Sequence, residues 1–93
     1  MKPIELNKYC PCCGYDTFDQ NDRGNYSICP ICFWEDDPIQ FDDPNMKGGA
    51  NRVSLIAGQK NYEEFGACEK DMIRNVRKVN KTDKLNPQWM NYK

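Results

Sequence analysis

The sequence predicts a small α+β fold: a β-hairpin with a cysteine turn at each end, then an acidic loop, then two helices. Three observations predict it. The cysteines come in two close groups, Cys10-Pro-Cys-Cys13 and Cys29-Pro-Ile-Cys32. Between the groups, residues 15–18 and 25–28 read as short strands on either side of the turn-forming run Asp19-Gln-Asn-Asp-Arg-Gly24. After Ser54, apolar residues recur at helical spacing over Leu55–Phe65, and again from Cys68 to about Val79.

The outer cysteines of the two groups are spaced C-x2-C-x15-C-x2-C, within the range of four-cysteine zinc sites. Zinc takes a tetrahedral shell, and thiolate is its usual structural ligand. Two ligands three positions apart sit on one tight turn with both sulfurs on the same side. Two such turns facing each other complete the shell. Pro11 presets φ for the first turn, and Gly14 supplies the positive φ that lets backbone N–H groups point at sulfur. Phe33 stands where the second turn would take glycine. The candidate ligands are Cys10, Cys13, Cys29 and Cys32, holding one structural zinc ion. Iron would suit the same four sulfurs. Disulfides or unliganded thiols are the bland alternative. With a hairpin joining the turns, the arrangement is zinc-ribbon-like.

Cys12 lies between two candidate ligands and cannot join their turn as a third. It reads as an exposed spare thiol beside a filled site. A reactive or ligand-exchanging thiol is the sharper alternative, but four thiolates leave the site formally −2, which opposes a low pKa.

In chain order, residues 1–8 are a short lead in which Ile4 and Leu6 alternate with polar residues, the pattern of a brief edge strand. The ribbon covers about residues 9–34. Phe33 and Trp34 are expected to pack on the metal lobe, because large aromatics supply most of the burial in a small core. The acidic loop spans residues 35–51 and contains Glu35, Asp36, Asp37, Asp42 and Asp43. Its two Asp-Pro pairs favour turns, so turn and cap chemistry on a solvated loop is the first reading. A hard-cation site or a face for a basic partner are the others. Gly48-Gly49 reads as a flexible link, and no phosphate-loop pattern follows it.

The helical part covers about residues 54–79. Ser54 is a good N-cap, and Leu55, Gly58, Tyr62 and Phe65 share one face. Gly58 costs up to about 1 kcal/mol of helix propensity against alanine, which a close approach by another backbone would explain. Gly66 ends the helix. The second helix carries the stripe Met72, Ile73, Val76 and Val79, with Arg74, Arg77, Lys78 and Lys81 elsewhere on or beyond it. Cys68 is a poor cap and reads as a small packed residue, or as a reactive thiol at a helix start. Residues 80–93 form a polar tail, in which Trp89, Met90 and Tyr92 could fold back or anchor a partner.

Ninety-three residues make one domain with too little buried surface for a large core, so a metal cross-link is a natural staple. No apolar run is long enough to span a membrane, and no secretory signal is seen. Knuckle spacing without a signal favours a reducing cytoplasm over a disulfide scaffold. The net charge of −1 is unevenly spread. Residues 1–45 hold three basic and nine acidic residues, and residues 46–93 hold ten basic and five acidic. This acidic front and basic back do not make an overall basic nucleic-acid binder.

Several runs are similar to the signature of the cysteine-rich CPCC family. They are Cys10-Pro-Cys-Cys-Gly-Tyr, Cys29-Pro-Ile-Cys-Phe-Trp-Glu-Asp-Asp-Pro, Phe41-Asp-Asp-Pro, Gly48-Gly-Ala-Asn, Val53-Ser-Leu and Glu64-Phe-Gly-Ala. The likeness covers about residues 9–79, in the family's order. The first turn also resembles a rubredoxin knuckle, although a rubredoxin spaces its two knuckles farther apart. The family resemblance implies a small, mostly bacterial, cytosolic, zinc-ribbon-like protein and no particular activity. Gly58 and Cys68 stand where the family usually carries alanine and serine.

The expected function is that of a non-enzymatic zinc-binding protein that binds another protein. Four thiolates leave no open coordination position, the chain has no histidine, and no nucleophile sits beside an evident base. One alternative is a nucleic-acid-binding ribbon using Arg74, Arg77, Lys78, Lys81 and Lys84 with Trp89 and Tyr92. Another is a thiol redox protein using Cys12 or Cys68, although a thioredoxin-like motif needs a βαβ context.

Overall fold

The computed structural model describes residues 8–87. Its helical segments are α1, Pro38–Asp42, then α2, Leu55–Phe65, then a 3-10 helix, Lys70–Asn75. Among the described residues, β pairing is confined to two isolated antiparallel bridges, Tyr15 with Leu85 and Ile28 with Glu35. The edge strand expected around Ile4 and Leu6 lies outside the described residues.

The hairpin expected between the cysteine turns does not form. Each turn instead pairs with itself. In the first, Cys10 N–H donates to Tyr15 C=O at 2.8 Å and Phe18 N–H to Lys8 C=O at 3.0 Å. In the second, Cys29 N–H donates to Trp34 C=O at 2.9 Å and Asp36 N–H to Ser27 C=O at 2.9 Å. A tight turn reverses the chain, so the nearest edge for the segment leaving it is the segment that entered it. The intervening loop adds a second cause. Arg23 forks onto the Asp36 carboxylate, Nε to Oδ2 at 2.7 Å and Nη2 to Oδ1 at 3.0 Å, and Gly24 N–H donates to Oδ2 at 2.7 Å. That clamp draws residues 26–28 against residues 35–36 and away from residues 15–18.

The acidic loop is not a solvated loop throughout. Asp37 caps α1, its Oδ1 accepting from Ile39 N–H at 2.8 Å and Gln40 N–H at 3.3 Å, with Pro38 in the first turn. Asp36 and Asp37 are both buried, while Asp42 and Asp43 stay exposed. Buried Gln40 gathers the chain between Met46 and Val53 around its amide. Its Nε2 lies 2.9 Å from Met46 C=O and 3.0 Å from Val53 C=O, and its Oε1 accepts from both Asn51 N–H and Asn51 Nδ2. The expected flexible link is pinned in this network, with Ala50 N–H donating to Asp37 Oδ2 at 2.9 Å. A Cβ on Gly49 would lie 2.7 Å from that same oxygen, so only glycine fits.

Helix α2 forms where its caps place it. Ser54 Oγ accepts from Ala57 N–H at 3.1 Å, and Gly66 closes the other end with φ 85 and its N–H on Tyr62 C=O. The second helix, expected over residues 68–79, shortens to Lys70–Asn75 and is 3-10. Glu69 stands at its N-cap with no side-chain hydrogen bond, so no orphan N–H is relieved there. Past Asn75 the chain is extended, and Arg77 N–H goes to Pro30 C=O at 3.0 Å, where no helical carbonyl can claim it. The core gathers on the cysteines. Cys10, Cys29, Cys32, Trp34 and Leu55 have no exposed surface, and Phe18, Ile31 and Ala67 are buried around them.

Candidate metal centre

The two turns that carry the paired cysteines are copies of one motif. Gly14 N–H donates to Cys10 C=O at 2.8 Å, and Phe33 N–H donates to Cys29 C=O at 2.8 Å. Both residues have positive φ, 87 for Gly14 and 70 for Phe33. The five-residue step also repeats, since Cys10 and Cys29 each donate their N–H across the turn, to Tyr15 and Trp34.

The turns face each other and bring four sulfurs together. Cys10 Sγ lies 3.6 Å from Cys32 Sγ, and Cys13 Sγ lies 3.7 Å from Cys29 Sγ. All four ligand atoms lie within 4.8 Å of one another, and all four residues are buried. A sulfur tetrahedron with metal bonds of about 2.3 Å has edges of roughly 3.8 Å, so the cluster has the dimensions of a tetrathiolate shell. All six cysteines are free thiols, so the disulfide alternative is not the arrangement adopted.

Two donors are aimed at the sulfurs. Cys12 N–H lies 3.4 Å from Cys10 Sγ, and Thr17 Oγ1 donates to Cys29 Sγ at 3.1 Å. Both suit thiolates. Protons alone satisfy the cluster unevenly. Burial pushes Cys10 and Cys32 well above the ordinary thiol range, while hydrogen bonds from Cys10, Cys13 and Cys32 drive Cys29 far below it. A divalent ion would allow all four to ionise. The donor set, the spacing and the burial fit a metal ion held by Cys10, Cys13, Cys29 and Cys32.

The second half of the chain buttresses both turns, and the sequence carries little signal for this. Buried Gln59 on α2 donates from Nε2 to Pro11 C=O at 2.8 Å. Cys68 N–H donates to Cys32 C=O at 2.7 Å, and Arg77 N–H to Pro30 C=O at 3.0 Å. The one hint is a glutamine beside the apolar face of α2, a long polar side chain where burial is expected. The tail also contributes: Asp16 N–H donates to Lys84 C=O at 3.0 Å and Asn86 N–H to Gly14 C=O at 2.8 Å.

Cys12 is buried, not exposed as its spacing predicts, because the tip of the first turn presses against α2. A Cβ on Gly58 would sit 3.2 Å from Cys12 Sγ and 3.3 Å from the Trp34 ring. The close approach at Gly58 therefore comes from side chains and not from another backbone. Cys68 is a buried, packed residue, its thiol pushed up to about 12 by burial and then by Cys12 and Glu69. Trp34 packs in the core as expected. Among the described residues, the carboxylates of residues 35–43 form no metal-binding group. Trp89, Met90 and Tyr92 lie outside the described residues.

No helix among the described residues is long and apolar enough to cross a membrane. No curated protein matches the chain. A family model described as Cysteine-rich CPCC matches residues 8–83, and the chain belongs to that family.

Proposed function

We propose that this is a non-enzymatic, cytoplasmic protein-interaction module, zinc-ribbon-like in its paired knuckles and held in shape by one structural zinc ion. The observation that carries the reading is the buried four-sulfur cluster, with Sγ distances of 3.6 and 3.7 Å. Four protein sulfurs fill a tetrahedral shell, so no position is left for a substrate or an activated water. When bound, zinc supplies a cross-link between the two turns and displaces the thiol protons. Its binding is of order 10 kcal/mol in finger peptides, comparable with the stability of a whole domain. Burial of Cys12 and Cys68 opposes the thiol-redox alternative, which needs an accessible thiolate.

Native mass spectrometry with elemental analysis tests the metal half of this reading. One zinc per chain is expected, and its removal by a chelator should abolish the cooperative thermal transition. Iron in stoichiometric amount, or a transition that survives stripping, would sink it. Crosslinking in cell lysate tests the other half, which requires one protein to be enriched reproducibly.

A further inference from the structure

Resting on that reading, a groove beside α2 gives the partner protein a place to bind that can be argued from its lining. This groove, of about 320 Å³, runs between α2 and the extended segment after the 3-10 helix. Buried Ile31 and partly buried Phe65 and Val76 line it, together with Ile73 and Val79. Ile73 and Val79 are 43% and 39% exposed, two of the few large hydrophobics on the described surface. The groove is also tied to the metal centre. Ile31 lies inside the second cysteine turn, and Arg77 N–H is fixed to Pro30 in the same turn.

The segment after the 3-10 helix gives the groove a basic wall, while α2 carries exposed Glu63 and Glu64. Lys78 lines it directly, and Lys70, Arg74, Lys81 and Lys84 stand exposed on the same stretch of chain. None of these five has an ion pair among the described residues. The acids of this stretch are already matched: Asp83 is held by Arg77, and Glu69 and Asp71 by Arg52. This stretch therefore keeps an excess of cations over its own acids, with Lys78 at the edge of an apolar slot sized for one or two side chains. We propose that the groove binds a short peptide segment of a partner protein, with a bulky apolar anchor flanked by carboxylates. The anchor would fill the slot, and the flanking acids would meet Lys78 and its neighbours. Nucleic acid fits less well, because the aliphatic side chains Ile31, Ile73, Val76 and Val79 outnumber the two aromatic rings of the lining, Tyr62 and Phe65, on which bases could stack.

Titration of isotopically labelled, metal-loaded protein, monitored by NMR, tests this with four probes. The first is a ten-residue peptide with a central Leu-Phe pair flanked by glutamates. The second has lysines in place of the glutamates, and the third has Ala-Ala in place of Leu-Phe. The fourth is a ten-nucleotide oligothymidylate. The first peptide should shift the amide signals of Ile31, Ile73, Val76 and Val79, binding about tenfold or more tightly than the second or third. Ile73→Ser and Lys78→Glu, both exposed and so compatible with folding, should each weaken it. Equal binding of all peptides, or none, overturns the proposal. So does stronger binding of the oligonucleotide. Concentration-dependent shifts at these residues without peptide would assign the groove to a second copy, and contacts from Trp89 would assign it to the chain's own end. A lysate protein crosslinked equally to wild type and to both variants would refute the groove while leaving the interaction-module reading intact.

Discussion

Phe33 occupies in the second cysteine turn the place that Gly14 holds in the first. Each lies four residues after its leading cysteine, donates its N–H to that cysteine's carbonyl at 2.8 Å, and has positive φ. The left-handed region costs a residue with a side chain roughly 1–2 kcal/mol. Phe33 tolerates it because its ring packs against the core cluster. The equivalence makes two predictions. Gly14→Ala should destabilise the metal-loaded protein by about 1–2 kcal/mol in urea unfolding. At position 33 the usual preference for alanine over glycine should reverse. Phe33→Ala should be less stable than Phe33→Gly by about 1 kcal/mol, since both lose the ring but only alanine keeps the strain. Equal stabilities for these two variants would show that the turn does not impose the left-handed backbone.

How much of this molecule is legible in its sequence depends on how local each cause is. Helix α2 can be read to its ends because Ser54 and Gly66 carry their own cap chemistry. The cysteine cluster can be read because each pair is three positions apart and each turn closes on itself. The strand partners cannot be read. Tyr15 bridges to Leu85, and Lys84 N–H reaches Asp16 Oδ1 at 2.9 Å, contacts that no spacing rule anticipates. The second helix misleads for a related reason. Its apolar stripe is real, but Arg77 N–H is taken by Pro30 and Glu69 supplies no cap, both settled by tertiary contacts. Burial of Asp36 and Asp37 is hidden in the same way, since an acidic run looks solvated until Arg23 and the Ala50 N–H are seen to meet it.

The Arg23–Asp36 clamp should be a principal determinant of the loop between the turns. Asp36 is almost fully buried, and the guanidinium also stacks 5.2 Å from the Phe18 ring centroid and 5.8 Å from that of Phe41. Removing one partner strands the other charge in a dry site. Arg23→Ala should therefore cost about 3 kcal/mol, near the lower end for a broken buried pair because Gly24 N–H still serves Asp36. Arg23→Lys should recover only part, since an ammonium cannot make the two parallel bonds or stack as the planar fork does. A change under about 0.5 kcal/mol for Arg23→Ala, the level of ordinary surface substitutions, would refute the clamp.

Gly58 lets the first cysteine turn approach α2. Its missing Cβ leaves room for Cys12 Sγ and the Trp34 ring, at 3.2 and 3.3 Å from where that Cβ would sit. Gly58→Val should overpack this contact and cost about 1–3 kcal/mol, although valine is the better helix former. Cys12→Ala removes one of the two obstructing groups, so the double variant should be more stable than the sum of the single changes by at least about 0.5 kcal/mol. Strict additivity would mean that α2 and the turn do not share this contact. The same cycle tests whether Cys12 acts as a packing residue, because a thiol with another role gives no reason for coupling to position 58.

Asp37 sets a dependence on acid that is separate from loss of the metal. Burial opposes its ionisation, but N–H groups of Ala50, Ile39 and Gln40 outweigh burial and hold the carboxyl below its ordinary value. A folded-state pKa below the unfolded one adds stability that is complete above the unfolded value of about 3.9 and fades as pH falls through the folded value. Asp37→Asn keeps an acceptor for the cap of α1 but has no charge to lose. Wild type should therefore exceed this variant in stability by a constant amount above about pH 5, with the gap closing below about pH 4. Acid also protonates the cysteines in both proteins, so the difference between them is the quantity to measure. Urea unfolding of the metal-loaded pair, in buffers from neutral pH down to the point where metal is lost, provides it. A gap that stays constant throughout that range, or widens as acid is added, would show that the three N–H groups do not favour the ionised carboxylate.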